Sequence, residues 1–272
     1  MTKGETGPAP DLDDLWRPIG FAGSRRSTGP RGVRARQSPL SGDEIVRTAI
    51  RLADAEGAGA VNMRRIAQEL ASGTMSLYWH IADKDHLLDL MLDAIQGEDL
   101  PVEVTEDWRA DLAQMARRER AILWRHRWAV DFIGGRPPLG PNTLLFMEQS
   151  LAILESTGAD LPEALNVLIS VNTYVLGAVL REMRELLAEQ EERRPGLSPE
   201  DVEAQVAGWR SRLGRSGLFP RLVGLLERGV DPAAPETRDA RFEYGLACLL
   251  DGVAQRVTGS RGVKPRTSRR SR

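Results

Sequence analysis

The sequence predicts an all-α protein in two parts, a three- or four-helix N-terminal unit and a larger helical C-terminal unit. Three observations carry that expectation. Apolar residues recur at three- and four-residue spacing through most of the chain from Ile45 to Val257, the period of half-buried helices. Alternating apolar–polar stretches of strand length are essentially missing. Residues suited to helix starts stand just ahead of the periodic runs, at Ser41, Asn62, Asp83, Asp160 and Ser198, where a side-chain oxygen can accept an orphan backbone N–H.

The elements follow in order. Residues 1–39 are rich in Gly, Pro, Ser and Arg and show no period, so a disordered basic arm is expected there. Ser41-Gly-Asp-Glu44 is a capping box, and Ile45, Ala49, Leu52 and Ala53 follow on one helical face, with Gly57 placed to stop the helix. Asn62 caps a short second helix, Met63 to Leu70. Ala71-Ser72-Gly73 makes a tight connection to a third, Thr74 to Ile81. Asp83 caps a fourth, with Leu87, Leu88, Leu90, Met91 and Ile95 as its apolar positions. Beyond residue 98, Trp108, Leu112, Met115 and Ile122 share one stripe, and Pro141-Asn142 opens a helix closed by Gly158. Asp160-Leu-Pro-Glu163 opens a long helix to about Glu191, and Ser198-Pro-Glu-Asp201 opens another with Pro at its first position. The last helix carries Phe242, Leu246, Leu249, Leu250, Val253 and Val257 on one side. The expected domains are therefore 40–97 and 98–258, with a second basic tail over 259–272.

Charge and composition exclude several classes. The net charge of −2 hides a segregation: residues 1–39 hold seven basic side chains and four acids, residues 256–272 hold seven and none, and the body between them is net −12. The one cysteine, Cys248, rules out a disulfide framework or a Cys-rich zinc site; within an apolar helical pattern it is expected to be a buried, inert thiol. There is no N-terminal apolar stretch, and the apolar run from Ala164 to Leu180 is interrupted by Asn166, Ser170, Asn172 and Thr173. No membrane partner and a cytoplasmic location are expected. The sequence has no His-Glu-x-x-His, no Glu-x-x-His pair, no phosphate loop and no nucleophile elbow. Asp83-x-x-His86 has the spacing of a metal pair, but Asp83 is better used as a helix cap. Catalysis, metal and cofactor are not expected.

Helices two and three are the informative part. Each is about two turns long, too short to be stable alone, and two short helices across a tight turn form a helix-turn-helix whose second member fits the major groove of B-DNA. With Leu77 and Ile81 facing the core, Thr74, Ser76, Tyr78 and His80 are left pointing outward, groups suited to phosphates and base edges. Tyr78 and Trp79 suit packing as well as contact. Lys84 adds its charge to the positive end of the fourth helix, where a phosphate oxygen would find both an ammonium and free N–H groups.

The motif Met63-Arg-Arg-Ile-Ala-Gln-Glu-Leu70, then Met75-Ser-Leu-Tyr-Trp-His80, Asp83-Lys84 and Leu87-Leu88, resembles the DNA-binding domain of the tetracycline-repressor (TetR) family over Leu40 to about Gly97. A weaker likeness runs through 105–185, at Trp108, Arg125-His126-Arg127-Trp128 and Gly135-Arg-Pro-Pro-Leu-Gly-Pro-Asn142, which resemble a ligand-binding domain of actinobacterial members. The resemblance implies that Arg64, Thr74, Ser76, Tyr78 and His80 meet bases or phosphates and that Trp79 and Lys84 contact or position the backbone. One departure stands in the turn, where Ala71 and Ser72 replace the usual Gly and aliphatic residue, so the angle between helices two and three is left open.

The folded unit over 40–97 has five basic residues against nine acids, weak for a binder whose affinity comes largely from phosphate neutralisation. Arg31, Arg34 and Arg36 are therefore expected to lie along DNA, entering the minor groove as homeodomain arms do; a merely solubilising leader is the other reading. The C-terminal tail is left unassigned. Two half-sites imply a homodimer on a double-stranded operator, with the stripe Leu246, Leu249, Leu250 and Val253 as first choice of interface and the helix from residue 160 as second. For a small-molecule effector, Asn166, Ser170, Thr173 and Gly177 form a polar and small lane, and Trp108, Met115, Trp124, Phe132, Phe146 and Tyr174 supply apolar walls; each also suits plain core. Tetracycline repressors hold a magnesium chelate with histidine and glutamate. The corresponding helix, 164–180, contains neither, so a flat, mostly apolar or aromatic molecule is the expected effector, and an exporter or biosynthetic operon the expected target. A DNA-binding regulator with no small-molecule effector is the alternative.

Overall fold

Polar caps set the helix boundaries. In the computed structural model, which describes residues 40–98, 100, 104–133, 140–192, 199–229 and 234–260, Ser41 Oγ accepts from Glu44 N at 3.2 Å and opens α1, Gly42–Glu56. Asn62 Oδ1 accepts from Arg65 N at 2.9 Å at the head of α2, Met63–Glu69. Asp83 Oδ1 accepts from His86 N at 2.8 Å at the head of α4, Lys84–Gln96, so Asp83 serves as a cap. Between them lies α3, Thr74–Leu77. Then come α5, Trp108–Arg125, α6, Pro141–Glu155, and α7, Leu161–Glu192. The chain continues with α8, Pro199–Ser216, α9, Pro220–Glu227, and α10, Arg238–Ser260. The described residues contain no strand: the fold is all-α.

One boundary and one element differ from the sequence reading. The third helix stops at Leu77 rather than Ile81, and Tyr78 to His80 form a turn closed by His80 N and Ile81 N on the Leu77 carbonyl, both at 2.9 Å. The chain must become extended at Asp83 (φ −155°) to cap α4, which leaves no room for a second helical turn. The helix α9 is an addition, begun by Pro220 just after a left-handed Gly217 at φ 67°.

The N-terminal unit is built around Ile45, Ala49, Ile66, Leu77, Ile81, Leu87 and Met91, all buried. Each of the larger aliphatics among them contributes roughly 1.5–3 kcal/mol, which is what stabilises α2 and α3 at lengths that would melt in isolation. In the C-terminal half, α7 is the axis, with α5, α6 and α10 packed on it through Ala164, Val167, Leu168, Val171, Val175 and Val179. By length and composition α7 alone among the described helices could span a membrane; one side of it is buried on the neighbouring helices and the other is exposed. The helix α4 packs on both α1 and α6 and so belongs to both halves. Its Asp93 carboxylate accepts from the backbone and hydroxyl of Thr143, both at 2.9 Å, capping α6 from outside. Gly140 permits this, because a Cβ there would lie 2.0 Å from Asp93.

The last helix corrects two expectations. Leu246, Leu250 and Val253 are buried in the chain's own core, and Leu249 is half-buried, so the stripe is not a free interface. The reason is close packing: Tyr174 Oη donates to the Phe242 carbonyl at 2.6 Å and lies where a Gly245 Cβ would be, drawing α10 onto α7. Cys248, on the opposite side of α10, is exposed rather than buried.

Candidate DNA-reading surface and effector cavity

The reading segment is held by two residues and offers the rest. Leu77 and Ile81 are fully buried, while Ser76, Tyr78, Trp79 and His80 are exposed and Thr74 half-buried. Trp79 at 84% exposure and Tyr78 at 47% are not packing residues. Met75, which the sequence reading did not single out, is 75% exposed on the same segment. Arg64 and Arg65 have different roles. Arg65 is tied to Glu56 and Glu69, each at 3.2 Å, whereas Arg64 is exposed and makes no ion pair among the described residues. Lys84 stands exposed at the first position of α4, as expected. The turn before α3 is strained: Ala71 has φ 48°, a left-handed conformation costing about 1–2 kcal/mol without glycine, and the Ser72 hydroxyl is buried with no hydrogen-bond partner. Arg31, Arg34 and Arg36, and the tail over 261–272, lie outside the described residues.

The second feature is a partly open cavity of about 470 Å³ lined by α4, α5, residues 132 and 133, α6 and α7, within the size range of drug-binding clefts. Its walls are mostly apolar, with Leu123, Phe146, Met147 and Leu168 among them. Of the sequence candidates, Phe132, Phe146 and Thr173 line it. Met115 lines a small void beside it. Trp108, Trp124, Tyr174, Asn166 and Ser170 do not line it. Each has another position. Trp108 packs half-buried on the core. Trp124 donates its indole N–H to Glu182 at 2.6 Å, outside the cavity. Tyr174 holds α10, as above. Asn166 and Ser170 are exposed, and the Ser170 and Thr173 hydroxyls donate to the carbonyls four residues back, both at 2.7 Å.

The sequence reading missed Leu92, Ile95 and Gln96, on the C-terminal turns of α4, and Glu119, all of which line the cavity. Burial pushes the Glu119 carboxyl up to about 8. The α4 positions were visible as an apolar helical face; nothing local said that part of the face meets a void instead of a neighbour.

A polar junction sits between the halves. The His126 ring nitrogens lie 2.8 Å from Asp54 Oδ1 and 3.0 Å from Glu98 Oε1, and the Trp128 indole N–H donates to the same Asp54 oxygen at 2.8 Å. The histidine is thus committed to α1 and to the end of α4, away from the cavity.

Comparison with known proteins agrees with this arrangement. The family model for bacterial regulatory proteins of the tetR family matches residues 45–91, and the tetracyclin repressor-like C-terminal domain matches residues 100–257. The chain belongs to the TetR family of transcriptional regulators. Among curated TetR-family relatives, the HTH-type transcriptional repressor DrrR1 of Streptomyces coeruleorubidus is 34% identical over 263 residues, covering 96% of this chain and 91% of that protein. The Escherichia coli class A tetracycline repressor from transposon 1721 is 28% identical over 228 residues, 83% of this chain and 95% of that protein. Among solved structures, apo ActR from Streptomyces coelicolor superposes with a TM-score of 0.64 at 33% identity, covering 83% of this chain and all of ActR. ActR in complex with actinorhodin gives 0.62 at the same identity and coverage of this chain. As in other TetR-family regulators, a DNA-reading unit and a helical C-terminal domain are joined in one chain.

Proposed function

We propose that this TetR-family chain is a ligand-responsive repressor that binds a palindromic operator as a dimer and is released when a small, largely apolar or aromatic molecule fills the 470 Å³ cavity. One observation carries the reading. Helix α4 presents Lys84 beside the reading segment at its first residue and lines the cavity with Leu92, Ile95 and Gln96 near its other end. An occupant that pushes on the second end tilts the first. Asp93 ties the same helix to α6, and the His126 junction ties it to α1, so the displacement passes to the whole DNA-reading unit.

In this reading Thr74, Ser76, Tyr78 and His80 face the major groove, with Arg64, Trp79 and Lys84 on the backbone, and Arg31, Arg34 and Arg36 follow the minor groove. Residues 40–97 are the DNA unit and 98–258 the effector and dimer unit. The dimer surface moves from the buried α10 stripe to the exposed faces of α7 and α10. On α7, Asn166, Ser170, Thr173 and Gly177 form the lane, and on α10 Tyr244, Cys248 and Gly252 are exposed; positions 177 and 252 have open space where a Cβ would stand. Flat faces with internally satisfied hydroxyls suit close helix packing between subunits. Shifting such a dimer fully off DNA takes roughly 5 kcal/mol of differential affinity. The regulated genes would be an exporter or biosynthetic operon.

The test is a mobility shift on DNA flanking the chain's own gene, with and without aromatic polyketides. Binding to a symmetric site that a polyketide abolishes is expected. Binding that no small molecule relieves would leave a DNA-binding regulator without an effector.

A further inference from the structure

Several acids of the C-terminal half pair with arginines of neighbouring helices, and Glu119 is not among them. Glu182 meets Arg120 at 2.9 Å. Glu185 meets Arg181, Arg238 and Arg241. Glu243 meets Arg117 at 2.7 Å, and that guanidinium holds its carboxyl below the usual range. In the run Arg117-Arg118-Glu119-Arg120, Arg117 and Arg120 reach partners on α7 and α10. Glu119 instead shares the cavity-facing side of α5 with Ile122 and Leu123, three and four residues on. It makes no hydrogen bond or ion pair among the described residues. An unpartnered carboxyl in an apolar wall costs stability, and a group perturbed by burial in a cleft is a candidate for ligand contact.

We propose that Glu119 anchors the polar end of the effector, and that this end is a cationic amine carried on an apolar or aromatic body. The proposal rests on the cavity being the effector site. Among the described residues Glu119 is the one ionisable group lining the cavity. From α4 it is faced by Gln96, from α6 by Thr143, and from α7 by Asn172 and Thr173, none of them charged. Arg118, its chain neighbour, lines the smaller void and has an interaction of its own. Among the described residues the cavity wall holds no cation, and it holds an acid with no partner of its own.

Because burial holds the free carboxyl up to about 8, pairing with an ammonium releases a proton. Binding then tightens as pH rises, by roughly fifty-fold from about pH 6 to about pH 8, while the amine stays protonated.

The test uses the full chain and three matched fluorescent probes: anthracenemethylamine, anthracenemethanol and anthracenecarboxylate. The amine should bind about tenfold or more tightly than the alcohol near pH 8, with the stated pH dependence. In Glu119→Gln, which keeps shape and hydrogen bonding but cannot ionise, the amine's advantage and its pH dependence should vanish while alcohol binding persists. Equal or better binding of the alcohol or the carboxylate, or an amine preference that survives the substitution, overturns the assignment and leaves the cavity reading standing. If none of the probes binds, the cavity fails as the effector site and both readings fall.

Discussion

The proposed reading segment and the proposed effector cavity are built by opposite means. Thr74 to His80 places its working groups in solvent within seven consecutive residues, anchored by Leu77 and Ile81. The cavity draws its walls from four helices and a connecting turn that are far apart in sequence, and its distinguishing residue, Glu119, points inward. The first is a local device, so removing a working side chain there should cost affinity and little stability. The second is a gap left by packing, so changes there act on stability and ligand together. Among the described elements, helix α4 runs from Lys84 beside the first to Leu92, Ile95 and Gln96 in the wall of the second.

The largest expected effect tests the anchoring of the local device. Leu77→Ala removes a fully buried side chain and should cost about 2–4 kcal/mol, read by chemical denaturation, with operator binding lost. A cost below about 1 kcal/mol would mean that the segment is not anchored as described.

Next comes the cavity acid. Glu119 sits near 8 when folded and near the ordinary carboxylate value when unfolded. The folded state therefore binds the extra proton between those values, and stability falls as pH rises through that window. Glu119→Gln should stabilise the protein by about 3 kcal/mol at neutral pH, and the gain should disappear near pH 4. A pH-independent difference in melting temperature would contradict the assignment.

A smaller effect probes the turn. Ser72→Ala removes a buried hydroxyl without a partner and should raise stability by about 1 kcal/mol, leaving DNA affinity unchanged; a loss of stability would reveal a role for that hydroxyl. The smallest effect in stability separates two neighbouring arginines. Arg64→Ala should leave the melting temperature unchanged and reduce the salt slope of DNA binding by about one. Arg65→Ala, which breaks pairs with Glu56 and Glu69, should do the reverse, losing up to about 1 kcal/mol with little change in slope. Equal salt slopes for the two variants would erase the distinction between them.

Much of the DNA-reading unit was legible because its rules are short-range. Asn62, Asp83 and Ser41 announce their caps within three residues, and the outward placement of Tyr78 and His80 follows once Leu77 and Ile81 are assigned inward. What was not legible there is which cation is already spent: Arg64 and Arg65 read alike until Glu56, on another helix, is brought beside one of them. The effector half shows the same limit on a larger scale. Periodicity marked Leu246, Leu250 and Val253 as a buried face and the aromatic residues as possible walls, but it does not name the surface that does the burying.

By itself the sequence determined an all-helical fold, the caps at Ser41, Asn62, Asp83 and Asp160, the exposure of Tyr78 and His80, and the family, because each depends on neighbours within a turn or two of helix. Tertiary structure alone decided that the α10 stripe faces α7 and α5, that His126 belongs to the junction, and that a single glutamate faces a void. Those outcomes depend on how helices distant in the chain meet and on where they fail to fill space, quantities that hydrophobic spacing along one helix does not contain.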